Sequence, residues 1–211
     1  MAREQSPTRR WMRRGSWACL GLGALLFGYV GILVGYQTVQ QGRLSGDWAR
    51  QHPAASIPNA TFPPASAVSL HIVPHMADGE PIARMLIPGV GFQGIVNEGD
   101  DRGILSGGPG HNDSTGYPGE GRLIVVSNHN GFSFSWNDIK NGDQIVLEMP
   151  YGRFHYTVVS RRIVNGDDNA VINAAPPGER LQLITCWPLW AGAMAQQRLV
   201  LDAVPATGAT Q

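Results

Sequence analysis

The stretch RLQLITCWP, residues 180–188, has the composition of a buried β-strand that ends in a cysteine. Leucine, isoleucine and threonine pack well in strands, and Pro188 cannot donate a hydrogen bond to a β-ladder. The strand is therefore predicted to end at or near Cys186. Two interpretations of that thiol are open: it fills the core as a small apolar group, or it is a nucleophile that a strand end presents to a cleft.

Similar short apolar runs lie on both sides of this strand. The chain has 211 residues, of which 27 are glycine and 15 are proline, and this content is typical of a fold with many turns. Long amphipathic helices are nearly absent from the outer part of the chain. We therefore predict an all-β fold, a barrel or sandwich of about eight short strands. Its other candidate strands are residues 68–75, 83–96 (one or two strands), 122–127, 144–149, 153–164 and 197–204, with a long loop over 97–121.

Residues 17–36, WACLGLGALLFGYVGILVGY, carry no charged side chain and are long enough to cross a bilayer as a helix. Five arginines precede this stretch, so the positive-inside rule places the N-terminus in the cytoplasm and the remainder across the membrane. A cleaved signal peptide is the alternative, but the apolar run is long and lacks a clear cleavage site. The predicted domains are a cytoplasmic basic tail (1–16), a transmembrane signal anchor (17–39), a stalk or linker (40–66), a β-domain (67–205) and a tail (206–211).

Charge and cysteine content narrow the functions of the outer domain. The whole chain has a formal net charge of zero, but the residues after 39 hold four more acidic than basic side chains. A mildly acidic domain is not expected to bind nucleic acid. Cys19 lies in the predicted membrane helix and cannot reach Cys186 across the membrane. Cys186 is therefore unpaired in an oxidising compartment, which makes it a candidate reactive thiol.

Two further residues stand at the edges of predicted strands. A reactive thiol needs a base or a positive neighbour, and imidazole is the usual supplier. Of the six histidines, His129 alone follows a run as apolar as the one before Cys186. Arg198 opens the last strand, where a guanidinium can donate hydrogen bonds to a developing oxyanion. The ordinary alternatives are a structural histidine and a surface ion pair.

The order of these features resembles the sortase family, the membrane-anchored cysteine transpeptidases of bacterial cell surfaces. The resemblance covers residues 68–204 and implies an eight-stranded β-barrel with short helices and loops, preceded by one N-terminal transmembrane helix. The anchor and the style of the motifs are most similar to the proteobacterial class GN sortases. The matching pieces are GPGH…T…PGE (108–120), the apolar strand up to His129, LITC (183–186) with Pro188, Arg198 before the last strand, NGDQIVL (141–147) and LIPGV (86–90).

The resemblance implies roles for individual residues. Cys186 would be the nucleophile, and His129 would be the general acid and base. Arg198 would hold the substrate and stabilise the oxyanion. The further candidates for substrate binding are Thr185, Trp187 and His111.

By the same resemblance, the protein cleaves the C-terminal sorting signal of an exported protein through a thioacyl-enzyme intermediate. It then transfers that protein to an amine acceptor of the cell wall or surface. No cofactor or metal is implied, and the acids of NEGDD (97–101) lack a spaced calcium-ligand pattern. The implied location is the bacterial inner (cytoplasmic) membrane, crossed once, with the catalytic domain in the periplasm.

Some residues depart from the family's pattern, and other functions stay open. Asn128 and Asn130 flank the histidine where many sortases have glycine and arginine, which bears on substrate preference. An L,D-transpeptidase also uses Cys, His and Arg, but in a Ser-His-Gly-Cys context that is absent here. A non-catalytic, membrane-anchored β-domain that binds a surface partner is the alternative from another class. For His111, the alternative to substrate binding is capping of a turn.

Overall fold

The computed structural model describes residues 7–53, 76–168 and 178–206. Helix α1 spans Pro7–Gln51. Among the described residues, it is the one helix that is long and apolar enough to cross a membrane. The chain divides into two compact units between Gln40 and Gln41. In the first unit, the large apolar side chains that the structure describes between Trp11 and Val39 are exposed, as expected for side chains that meet lipid.

The second unit contains a closed barrel built from eight strands of the described residues. The strands are β1 (Pro81–Ile87), β2 (Phe92–Glu98), β3 (Gly110–His111), β4 (Leu123–Asn128), β5 (Gln144–Met149), β6 (Gly152–Asn165), β7 (Arg180–Trp187) and β8 (Gln197–Pro205). Their order around the barrel is β1-β2-β3-β4-β7-β8-β6-β5, and β5 pairs with β1 to close it. The pairs β2–β3 and β4–β7 are parallel, and the other neighbouring pairs are antiparallel.

The barrel core comes from the period-two alternation of the strands. Leu181 and Leu183 on β7 belong to the core and are fully buried, as are Leu199 and Leu201 on β8. The residues between them face the other side of the sheet, because successive side chains of a strand alternate. Full burial of such a side chain stabilises the fold by about 1.5–3 kcal/mol. The predicted all-β fold is confirmed, and it is a barrel rather than a sandwich.

Most predicted strands agree with the structure. The five strands predicted from residue 122 onwards match β4 to β8 within one residue at each end. The run 83–96 forms two strands, β1 and β2, because a short 3-10 helix over Pro88–Val90 turns the chain between them. The predicted loop over 97–121 also contains helix α2 (Arg102–Leu105) and the two-residue strand β3. The predicted strand 68–75 lies outside the described residues.

The C-terminal part of α1 is fastened to the barrel. The side-chain oxygen of Gln41 accepts a hydrogen bond from the N–H of Ile95 at 2.9 Å, and its Nε2 donates to the carbonyl of Gly107 at 2.6 Å. Trp48, two turns further on, is buried. The sequence predicts a stalk or linker over residues 40–66, and the first part of that range continues α1 up to Gln51. The rest of the predicted stalk is not described, so the domain limits stay predictions.

Glu179, just before β7, joins three segments at the end of the barrel where β4 and β7 begin. Its Oε2 accepts hydrogen bonds from the N–H groups of Gly119 and Gly121, at 2.8 and 2.9 Å. Its Oε1 accepts one from the hydroxyl of Tyr156 at 2.6 Å. Burial raises the pKa of Glu179, and these hydrogen bonds oppose the rise. The carboxylate thus fixes the starts of the two parallel strands relative to each other.

Glu179→Ala is expected to lower the free energy of unfolding by about 2–4 kcal/mol, because three donors lose their acceptor. Glu179→Gln keeps one carbonyl oxygen and should lose less. A raised carboxyl pKa in the folded state adds stability below the unfolded pKa of about 4.3, and this is lost as pH rises through the folded pKa. The free energy of unfolding of the wild type should therefore rise relative to that of Glu179→Gln as pH falls.

Urea unfolding of the full chain in detergent, followed by tryptophan fluorescence, measures these differences. The fluorescence reports the barrel because Trp136 is buried in its core. Superimposable curves for the wild type and Glu179→Ala would contradict the role of this carboxylate. A gap between wild type and Glu179→Gln that widens towards high pH would contradict the direction of its pKa shift.

Candidate active site

Three neighbouring strands bring the three sequence-predicted catalytic residues to one end of the barrel. Strand β7 lies between β4 and β8. The parallel register pairs Asn128 on β4 with Thr185 on β7, so His129 and Cys186 are each the next residue along. The antiparallel register pairs Cys186 with Arg198 on β8. The strand pairing therefore sets a histidine and an arginine on the two sides of the cysteine.

Cys186 faces away from the barrel core. Leu181 and Leu183 point into the core, and the alternation continues through Thr185, so the cysteine that follows points outward. The residue is partly exposed, and its thiol is not in a disulfide. A cysteine that fills the core would point into the barrel, so that interpretation does not fit the outward direction of Cys186. A nucleophile must face outward to reach a substrate.

His129 follows β4 and is exposed. Its backbone is held on both sides: its N–H donates to Oδ1 of Asn128, and its carbonyl accepts from Oγ of Ser133, both at 2.9 Å. The N–H of Phe132 donates to the same carbonyl at 2.9 Å, and the Phe132 ring meets the imidazole edge-on at 6.4 Å between ring centres. The backbone is therefore fixed while the imidazole stays accessible to solvent.

Arg198 shares the outer face with Cys186, because directly opposed residues of an antiparallel pair project to the same side. Its Nη1 donates a hydrogen bond to the carbonyl of Gln197 at 3.0 Å. The guanidinium lies against Gly166, where a Cβ atom would come within 3.1 Å of Nη1. A guanidinium has five N–H donors and the bond to Gln197 uses one, so Arg198 can also donate to an anionic oxygen.

Thr185 and Trp187 flank the cysteine but point the other way. Thr185 is fully buried, and within the described parts of the chain its hydroxyl has no hydrogen-bond partner. Trp187 packs against the core, and the guanidinium of Arg161 lies 5.6 Å from its ring centre. Both side chains lie on the interior side of β7, opposite to Cys186. Their predicted part in substrate binding stays a prediction.

His111 lies in a buried polar cluster. It pairs with Val126, so it sits on β3 beside the middle of β4. Its Nδ1 lies 3.2 Å from both carboxylate oxygens of Glu98, and its Nε2 lies 3.0 Å from the carbonyl of Gly116. Burial, followed by the Glu98 carboxylate, raises the pKa of the adjacent Tyr117. These contacts are of the kind that the turn-capping alternative expects, and a role of His111 in substrate binding stays a prediction.

The acids of residues 97–101 make local contacts. Glu98 meets His111, Asp100 accepts a hydrogen bond from Asn112 at 3.0 Å, and Asp101 caps the first N–H groups of α2. Over 7–53, 76–168 and 178–206, no group of three or more His, Cys, Asp or Glu side chains could hold a metal ion. The expectation that the protein needs no metal or cofactor stays a prediction.

Sequence reasoning missed the residues that hold the loops of the site. Asn130 is buried, and its Nδ2 donates to the carbonyl of Gly192, in the segment after Cys186, at 3.0 Å. Gly166 leaves room for the guanidinium of Arg198. A Cβ atom at this position would lie 3.1 Å from Nη1 of Arg198 and only 2.6 Å from the carbonyl oxygen of Gln196. The one signal in the sequence was the asparagine beside the histidine, but a local pattern does not reveal a partner 62 residues away.

The site lies within a region that resembles known proteins. A family model described as a Sortase domain matches residues 85–206, more than half of the chain. Sortase D of Bacillus subtilis (strain 168) is 34% identical over 116 residues, which cover 54% of this chain. The chain therefore spans 59% of the length of that curated relative.

Solved structures share the barrel. Sortase D5 of Clostridium perfringens, described as a transpeptidase, has a TM-score of 0.56 at 20% identity, covering 62% of this chain and 82% of that one. Sortase E from Streptomyces avermitilis has a TM-score of 0.54 at 26% identity, covering 63% and 91%. A lid mutant of Sortase A from Corynebacterium diphtheriae has a TM-score of 0.58 at 23% identity, covering 82% and 96%. The assignment to class GN stays a prediction.

Proposed function

Because this chain belongs to the sortase family, we propose that it is a cysteine transpeptidase that acts on peptide sorting signals. Cys186 is the nucleophile, His129 is the general acid and base, and Arg198 binds the substrate and the oxyanion. The observation that carries the proposal is the strand register, which sets His129 and Arg198 on the two sides of an outward-facing, partly exposed cysteine.

The first half of the proposed reaction forms a thioester. The thiolate of Cys186 attacks the carbonyl carbon of a peptide bond in the sorting signal, and the carbonyl electron pair moves onto oxygen. Arg198 donates hydrogen bonds to that oxyanion. When the electron pair returns, the C–N bond breaks, and protonated His129 gives its proton to the leaving amine. The C-terminal fragment departs and the rest of the target stays on the sulfur.

The second half moves the target onto an acceptor. An amine attacks the thioester carbon, and His129 accepts a proton from the attacking nitrogen. Arg198 again faces the oxyanion as the tetrahedral intermediate forms. The C–S bond then breaks, a new amide is made, and Cys186 leaves as a thiolate. The enzyme ends in its starting state, with no oxidant, metal ion or cofactor consumed.

The proposed partners are a target protein with a C-terminal sorting signal and an amine of the cell wall or surface. Helix α1 would hold the enzyme in the bacterial inner membrane. The five arginines that precede its apolar stretch support an N-terminus in the cytoplasm and a barrel in the periplasm. A target that passes through the membrane would then meet the site on the side where it emerges.

Ligation by the full chain tests this function. We expect that one member of a panel of candidate sorting peptides, mixed with amine acceptors, is joined to the acceptor with loss of its C-terminal part. Mass spectrometry identifies the product, and the same panel with Cys186→Ala is the control. A panel with no cleaved or ligated peptide, together with a Cys186 thiol that alkylates only after unfolding, would favour a non-catalytic binding domain.

A further inference from the structure

The two loops that carry the site pack against each other and are linked by one side-chain hydrogen bond. The first loop holds His129 and two short 3-10 helices, Asn130–Phe132 and Phe134–Asp138. The second follows Cys186 and holds the 3-10 segment Leu189–Met194. Nδ2 of Asn130 donates to the carbonyl of Gly192 across the gap at 3.0 Å. Among the described residues, no other side-chain hydrogen bond links these two loops.

The acceptor of this hydrogen bond is held in place by an unusual turn. Gly192 has φ 55° and ψ −129°, which interrupts its 3-10 segment. This conformation is open to glycine and strained for other residues. The Gly192 carbonyl also accepts from the N–H of Ala195 at 3.3 Å. The backbone therefore presents a fixed oxygen to Asn130, whose side chain is buried.

The donor of this hydrogen bond, Asn130, is covalently next to the histidine. Asn130 directly follows His129, whose own N–H and carbonyl are bonded to the side chains of Asn128 and Ser133. These local bonds fix the histidine within its loop but do not relate it to the cysteine. The bond from Asn130 to Gly192 does relate them, because Gly192 lies in the loop that leaves Cys186.

We propose that Asn130 is a positioning residue that holds His129 at proton-transfer range of the Cys186 chemistry by tying the two loops together. The inference rests on the proposed function. A general acid must come within about 2.6–3.2 Å of the atom it protonates. A misplacement of about 1 Å costs about 10²-fold in rate. The segments Asn130–Phe132 and Leu189–Met194 also pack against each other, and the one side-chain hydrogen bond between them can decide such a displacement.

The test compares Asn130→Asp and Asn130→Ala with Asn137→Asp as the control and with His129→Ala as the reference for loss of the imidazole. Aspartate keeps the size of asparagine but replaces the donor with a carboxylate that faces a carbonyl. Asn137 is exposed in the same loop and bonds only to its neighbour Asp138 in the described structure, so Asn137→Asp makes the same chemical change away from the cysteine loop. Each full-length variant is assayed for ligation and for the pH profile of Cys186 alkylation by iodoacetamide.

We expect both Asn130 variants to lower kcat by about 10²-fold with KM nearly unchanged, and to shift the alkylation profile towards that of His129→Ala. Asn137→Asp should behave as the wild type. Asn130 variants that match wild-type kcat and alkylation would overturn the proposal, as would loss of a cooperative unfolding transition in both, since the side chain would then serve the fold. A wild type that forms no ligated product would instead contradict the proposed function, and the alkylation profiles still test the positioning.

Discussion

Cys186→Ala is expected to abolish ligation, with a fall in kcat of at least about 10⁴-fold. The alanine side chain cannot form the thioester through which both halves of the proposed reaction pass, and removal of a catalytic nucleophile typically costs this much or more. Since Cys186 points outward and is only partly buried, its loss should leave the core intact. The measurement is the rate of ligated product formation together with the mass of the enzyme during turnover.

Cys19→Ala is the matched control for this prediction. It removes the other cysteine of the chain, which is exposed in α1. We expect wild-type ligation and a wild-type covalent intermediate from this variant. A covalent peptide adduct on Cys186→Ala, or loss of ligation in Cys19→Ala alone, would contradict the assignment of Cys186 as the nucleophile.

Arg198→Ala is expected to lower kcat by about 10²–10³-fold. This is the usual loss when one donor to an oxyanion is removed. The residue lies directly opposite Cys186, and its guanidinium makes one hydrogen bond to a backbone carbonyl. The fold should tolerate the change because the side chain is on the outer face. Steady-state ligation, with kcat and KM resolved, measures the effect.

Two control variants separate hydrogen bonding to the oxyanion from a nonspecific effect of losing one positive charge. Arg198→Lys should recover part of the activity, since an ammonium has the charge but not the planar fork of a guanidinium. Arg122→Ala removes an exposed arginine before β4, at the opposite end of that strand from His129. It should leave kcat and KM for ligation unchanged. An Arg198→Ala enzyme with wild-type kcat would show that Arg198 is a structural or surface residue.

The barrel and the family were predictable because short-range patterns carry them. Strands β5 and β7 are short apolar runs, each about as long as a strand, and turn-forming residues flank them. Such runs are visible in the sequence alone. The resemblance to the sortase family is confirmed by the match over residues 85–206. Strand β3 was not predicted, because its two residues, Gly110 and His111, have no periodicity to read.

The fine structure of the site was not predictable, because it depends on contacts between distant segments. Asn130 meets Gly192, and Glu179 meets Gly119 and Gly121, and each pair becomes adjacent only after the barrel closes. The same applies to Gln41 in the predicted stalk, whose side chain bonds to backbone groups of Ile95 and Gly107. Local sequence could indicate that a polar residue stands there, but not which backbone group it meets.

Intact-protein mass spectrometry of the wild type tests the central claim most directly. The full chain is mixed with a sorting peptide that it ligates and is quenched in acid before the acceptor is added. We predict a mass increase equal to the N-terminal part of the peptide, located on tryptic peptide 181–198 and therefore on Cys186, and released by hydroxylamine as expected for a thioester. Cleavage of the peptide without any adduct on Cys186 would contradict the account.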